Sequence, residues 1–128
     1  MQYEYFYGAQ AEQFSFYRIP KALFTEPNFR ELSTDAKVLY GILLDRMSLS
    51  LKNQWLDAQN KVYIIFTVEE IMDALNCANQ KVTRLMVELE KQAGLIERKR
   101  QGLGRPNLIY VKNFAAMIRA VKKVILDM

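Results

Sequence analysis

LIERKRQGLGRPNLIYVKNF, residues 95–114, is the stretch on which the reading of this chain turns. Two β-prone runs, residues 95–101 and 108–111, flank a tip of Gly102-Leu103-Gly104-Arg105-Pro106-Asn107. Glycines supply the unusual φ of a tight reversal, and proline sits where no ladder donor is required, so the stretch predicts a β-hairpin. Arg98, Lys99, Arg100, Arg105 and Lys112 follow one another here with no acid among them.

Directly upstream, the spacing predicts two helices joined by a short turn. Thr67 is an N-cap, with Glu69 and Glu70 near the positive end of the helix dipole, and Val68, Ile71, Met72 and Leu75 keep the 3.6 period. Asn76-Cys77-Ala78-Asn79 is the turn, and Asn79 is its capping residue. A further helix is expected over residues 80–92, with Val82, Leu85, Met86 and Leu89 inward and Gly94 as its stop. Two helices, a tight turn and then a basic hairpin describe a winged helix-turn-helix, whose second helix enters a DNA major groove. The fold class expected is therefore α+β, mainly α.

Further out, Ser33 caps a helix over residues 34–49, carrying Ala36, Leu39, Tyr40, Leu43, Leu44 and Met47 at helical spacing. Residues 55–66 predict a strand, a polar turn at Asp57-Ala58-Gln59-Asn60 and a second strand, with Trp55 as an anchor. Residues 14–19 read as a short extended segment, and Lys21-Ala22-Leu23-Phe24 as one helical turn that Pro27 stops. Tyr3, Tyr5, Phe6, Tyr7, Phe14, Phe16 and Tyr17 crowd the N-terminal segment; so much apolar area is expected to pack on the core or on a second subunit. Residues 114–126 predict a last helix with Met117, Ile118, Val121, Val124 and Ile125 apolar. One domain is expected: an aromatic arm over 1–32, a winged-helix core over 33–114 and a C-terminal helix over 115–128.

Composition excludes several classes. Histidine is absent and Cys77 is the lone cysteine, which removes the commonest general base, argues against a zinc site or any cofactor, and fits a reducing cytoplasm. Cys77 itself reads as a small packing residue. No apolar run reaches the roughly 18–20 residues that span a bilayer, so no membrane partner is expected. Residues 1–64 hold seven Lys/Arg and seven Asp/Glu, whereas residues 65–128 hold eleven and seven. The whole net charge of +4 thus belongs to the half with the hairpin, the distribution a polyanionic partner requires.

On the second helix of the pair, the apolar stripe leaves Asn79, Gln80, Lys81, Thr83, Arg84 and Glu88 free. Asn and Gln suit adenine N6/N7, Arg and Lys suit guanine O6/N7, and Thr suits a thymine methyl or a phosphate. Asn79, Gln80, Lys81 and Arg84 are the base-reading candidates, with Thr83 beside them. In the hairpin, alternation puts Arg98 and Arg100 on one face and Lys99 on the other. Arg105 at the tip is the minor-groove candidate, supported by Arg98 and Arg100. Gly102-Leu103-Gly104 opens no helix and cannot cradle a dinucleotide. The pairs Glu69/Glu70 and Glu88/Glu90 read as helix-initiating or solvated residues rather than an acid/base pair, and no catalysis is expected.

Three stretches, QFSFYRIPKALFTEPNFRELSTDAKVLYGILLDRMSLS, VYIIFTVEEIMDALNCANQKVTRLMVELEK and GLIERKRQGLGRPNLIYVKNF, resemble the N-terminal domain of the RepA_N family, replication initiators of plasmids and conjugative elements in Gram-positive bacteria. They cover most of residues 13–114, and the turn Asp57-Ala58-Gln59-Asn60 departs from the acidic, glycine-bearing turn common in the family. The resemblance implies a winged-helix domain that binds iterons, the repeated double-stranded sites of a replication origin. It also implies homodimers, pairing of iteron-bound dimers that controls copy number, and a C-terminal domain that engages the host replication machinery. Nothing after Asp127-Met128 resembles that domain, so the sequence reads as a fragment of a longer initiator in a bacterial cytoplasm. The rival readings are a transcription regulator bound to a promoter operator and a winged helix that binds protein.

Overall fold

Ser33 marks where the chain turns from extended to helical. Its backbone is extended (φ −65°, ψ 155°) and its Oγ accepts a hydrogen bond from the Ala36 N–H at 3.1 Å, starting α2, Thr34–Arg46. In this computed structural model, which describes residues 2–128, α2 is the central helix of the core. Ahead of it, α1 (Ala22–Thr25) buries Leu23, and a short 3-10 turn at Pro27–Phe29 buries Phe29. A 3-10 turn at Met47–Leu49 continues α2, so helical backbone spans the predicted 34–49.

Gly41 lies where the incoming chain crosses α2. A Cβ there would stand 2.8 Å from the Arg18 carbonyl oxygen and 2.9 Å from a side-chain carbon of Ile19. Only a residue without a side chain permits that crossing.

Residues 55–66 form less β-structure than predicted. A single bridge joins Leu56 to Val62, and the strand proper, β1, is only Ile64–Ile65. The turn between is tightened by the Asp57 carboxylate, which accepts hydrogen bonds from the Gln59 and Lys61 N–H groups. The partner of β1 is β3 (Leu108–Val111), which also pairs with β2 (Ile96–Lys99). All pairings are antiparallel, with Ile64 and Arg98 both opposite Ile109. Directly opposed residues share a face, so Ile64, Ile109 and Ile96 line the buried side and Arg98 stands among them.

The helix pair follows β1. The α3 helix, Val68–Leu75, begins with a full capping box: Thr67 Oγ1 accepts from the Glu70 N–H, and Glu70 Oε1 accepts from the Thr67 N–H. It ends at Asn76 in the left-handed region (φ 52°), and α4, Asn79–Val87, starts after Ala78. Asn79 is therefore the first helical residue rather than the cap, and no side chain caps α4. Glu88–Gln92 continues it as a π-helical turn, and Gly94, at φ +66°, releases the chain into β2. The order α2, β1, α3, α4, β2, β3 around one core is that of a winged helix-turn-helix.

At the N-terminal end, Tyr3, Tyr5, Phe6, Tyr7, Phe14, Phe16 and Tyr17 are all exposed, so of the two surfaces expected to cover them the core is excluded. Phe14 meets Phe6 and Phe16 edge-on, so these rings cluster among themselves. Residues 15–19 belong to no helix or sheet, and Phe14 leaves the preceding turn with an extended backbone (φ −90°, ψ 155°), in keeping with the extended segment expected there. Trp55 and Cys77, by contrast, are half-buried against the core as expected. The last helix, α5 (Ala115–Asp127), buries none of its side chains, and Val121, Val124 and Ile125 stay exposed. Between its start and α2 lies a groove of about 630 Å³ lined by Tyr40, Leu44, Met47, Phe114 and Ile118. Among the described residues, no helix is long and apolar enough to cross a membrane.

Candidate nucleic-acid interface

Burial of Val82, Leu85 and Met86 fixes the rotation of α4. On the other side of the helix, Gln80, Thr83, Arg84 and Val87 are exposed and recur at i, i+3, i+4 and i+7, so they share the outward face. Asn79 is exposed at its start. Thr83 Oγ1 donates to the Asn79 carbonyl at 3.1 Å and lies 3.2 Å from Asn79 Oδ1, which ties the two side chains together. Lys81 sits at the flank, and its Nζ is 2.7 Å from Asp35 Oδ2 on α2. Of the helix residues predicted from sequence, Asn79, Gln80, Thr83 and Arg84 are thus brought onto one accessible surface, while Lys81 is paired. Val87 is in neither the inward stripe nor the polar set read from sequence, because an apolar side chain carries no hydrogen-bonding signal. Its exposure of 39% shows that it belongs to the outer face.

Glu88 is not a free surface residue. It is 8% exposed, and its carboxylate accepts from the Ser33 N–H at 2.8 Å and from Ser33 Oγ at 2.9 Å. Glu90 is not solvated either. Burial pushes its carboxyl up, but the hydrogen bonds and charge of Arg98 outweigh that and hold it below the usual range.

In the hairpin, Gly102 (φ +117°) and Gly104 (φ +75°) make the backbone reversal that only glycine adopts freely. Gln101 Nε2 donates to the Pro106 carbonyl at 2.8 Å and closes the tip. Leu103 is fully open to solvent there, and Arg105 is exposed. Arg100 lies just beyond β2 and is exposed, as is Lys99. Among the described residues, Lys99, Arg100 and Arg105 make no salt bridge, whereas Arg98 is held by Glu90. Strand alternation correctly separates Arg98 from Lys99, but the face that takes Arg98 is the inner one.

No group of acids, cysteines or histidines that could hold a metal occurs among the described residues. What the surface offers is a strip of hydrogen-bonding and cationic side chains on a convex helix, beside a glycine-shaped basic tip. Such a surface suits a grooved polyanion rather than a small substrate.

A winged helix-turn-helix with this strip and tip is the class of protein defined by fold and surface. Residues 15–124 match the family described as "Replication initiator protein A (RepA) N-terminus", and the chain belongs to that family. It is 33% identical over 92 residues to a "41 kDa protein" of Lactobacillus helveticus, covering 72% of this chain and 26% of that one. The aligned part thus spans about a quarter of that relative. Among solved structures, it is similar to an "N-Terminal domain of DNA binding protein" (TM-score 0.73, 36% identity, 99% of this chain and 98% of that one). It is similar also to the protein of a "Structure of Rep-DNA complex" (TM-score 0.73, 36% identity, 98% of each chain). A "Structure of MDR initiator" gives a TM-score of 0.70 at 37% identity, over 94% of this chain and 98% of that one.

Proposed function

We propose that this domain binds double-stranded DNA in a sequence-specific way, at iterons of a replication origin, and serves initiation by positioning rather than by catalysis. The observation that carries the reading is the outward strip Gln80, Thr83, Arg84 and Val87 on a helix whose opposite face is buried. Those side chains do nothing for the core and have the chemistry of base edges: amide for adenine, guanidinium for guanine, apolar contact for a thymine methyl. Lys99, Arg100 and Arg105 supply phosphate and minor-groove contacts from the wing, with Leu103 beside Arg105 at the tip. Membership in the initiator family and the likeness to the protein of a Rep–DNA complex support the same reading.

Dimer formation belongs to this reading, with the exposed aromatic arm and the open stripe of α5 as the available surfaces. So does recruitment of host replication proteins, assigned to regions of a longer initiator outside this domain.

Footprinting on the DNA around its own gene tests the proposal. Protection of tandem repeats is expected, with affinity falling steeply as salt rises, by a slope near −0.9 per neutralised phosphate. A single protected promoter operator would make the domain a transcription regulator, and a flat salt profile would remove DNA as the partner. Arg84→Ala should cost about 1–3 kcal/mol and relax discrimination at one base pair. A uniform loss over all sequences would reduce Arg84 to a phosphate contact.

A further inference from the structure

The recognition helix does not pass into the wing as plain α-helix. Its last turn, Glu88–Gln92, is π-helical, closed by the Ala93 N–H donating to the Glu88 carbonyl at 3.0 Å. Such wide turns are rare and concentrate at functional positions. Here the turn sends two carboxylates to two different elements. Glu88 reaches Ser33 at the start of α2. Glu90 reaches β2, where it accepts from the Arg98 N–H at 2.8 Å and from Arg98 Nε and Nη2 at 3.0 and 2.8 Å.

The second contact grips one wing residue twice, by main chain and by side chain. Gripping both restrains the strand's rotation as well as its distance from the helix. The pair is sheltered, with side-chain exposures of 29% for Arg98 and 14% for Glu90, so water and salt screen it less than an open surface pair. Both guanidinium donors converge on Oε1 while the main-chain N–H takes Oε2, so the two oxygens hold side chain and strand separately through charge-assisted bonds.

We propose that Glu90 is a positioning residue for DNA recognition: through Arg98 it locks the wing to the end of α4, so that helix face and wing tip meet the duplex in one relative orientation. Arg98 thereby acts inside the protein and not on a phosphate. The inference rests on the DNA-binding reading above. Without the lock, each binding event must order the wing anew, and preorganisation is lost. Specific binding needs helix and wing in register at once, whereas non-specific binding needs only cations near phosphates. The lock therefore acts on discrimination more than on general affinity.

The test uses the whole chain and two duplexes of equal length, the one protected in footprinting and a random one, with thermal unfolding recorded in parallel. Glu90→Gln keeps the size of the side chain and removes its charge. It should bind the protected duplex about tenfold more weakly, the scale of one lost charge-assisted hydrogen bond, and the random duplex almost as wild type does. The double variant Glu90→Gln/Arg98→Gln should lose no more discrimination than the worse of its two single variants, because both changes break the same side-chain pair. An unchanged ratio between duplexes in Glu90→Gln overturns the proposal, as does an equal loss on both. An Arg98→Gln variant that weakens both duplexes equally while Glu90→Gln weakens neither overturns it too, by making Arg98 a phosphate contact. A wild-type chain that prefers neither duplex overturns the sequence-specific reading itself, a result visible before any variant is compared.

Discussion

Arg46 shows how much of this structure individual side chains hold. Its guanidinium lies 4.7 Å from the Phe66 ring centre and 5.6 Å from that of Trp55, donates to the Ile65 carbonyl and pairs with Glu70 at 2.9 Å. One residue so joins α2, β1 and the start of α3. Gly41 has the opposite means, since its missing side chain admits the chain at Arg18 and Ile19. In an open helix Gly→Ala would gain about 1 kcal/mol. At this crossing the added carbon meets a backbone oxygen that can move only with the chain, and overpacking costs about 1–3 kcal/mol. Gly41→Ala should therefore destabilise the domain, read as a lower denaturant midpoint with an unchanged slope. Lys81 carries a prediction of the other sign for binding. Asp35 occupies its ammonium group in the free protein, so Asp35→Asn should tighten DNA binding several-fold while slightly weakening the start of α2. A titration showing weaker binding would mean that Asp35 orients Lys81 instead of competing for it.

At the scale of elements, local signals were legible and long-range partners were not. Ser33, Thr67 and Gly94 announce helix ends because a cap acts within a few residues, and all three act as read. Thr67→Ala removes one side of the capping box and should cost about 1 kcal/mol, within a range of 0.5–2, measured by chemical denaturation. The recognition face was legible because burial of Val82, Leu85 and Met86 fixes it by period alone. Residues 55–66 were legible in part. The local reversal is there, with Leu56 bridging Val62 and the Tyr63 N–H donating to the Trp55 carbonyl. But β1 takes β3 as its partner from the far end of the domain, which no local run reveals. Glu88 and Glu90 were misread for a related reason. Nothing in their spacing reveals that Ser33 and Arg98 face them in space. In the arm, aromatic content reports a tendency to be buried and not where the burying surface is; the core does not cover these rings.

For the molecule as a whole, titration should limit stability at both ends of the pH scale. The Asp57 carboxyl is held low by the Lys61 N–H, with burial opposing, and that of Glu70 by the Thr67 N–H, with burial opposing. Glu90, with Arg98, adds a third lowered group. Groups whose folded pKa is depressed stabilise the fold above their ordinary range, and this is lost as pH falls through that range toward the folded values. Tyr40 moves the other way: burial raises its phenol to about 12, and its hydroxyl donates to the Lys112 carbonyl at 2.7 Å. Its contribution is complete below the ordinary tyrosine value near 10 and is lost as pH rises through about 12. Denaturant midpoints should accordingly fall in acid and again in strong alkali. Tyr40→Phe should remove part of the alkaline fall and leave the acid one unchanged.

The wide turn at Glu88–Gln92 has a consequence for how the chain can change length. An α-helix advances about 100° per residue, so adding or deleting one residue before Gly94 would swing the departing strand around the helix axis. Deleting Lys91, an exposed residue whose substitution should be tolerated, is expected to abolish specific binding even where the shortened chain still folds. A residue inserted at the open tip, between Leu103 and Gly104, should leave folding intact, because that backbone faces solvent. Spacing is thus the constrained quantity at the root of the wing and a free one at its tip, and exchanging domains between relatives should succeed only where the root keeps its count.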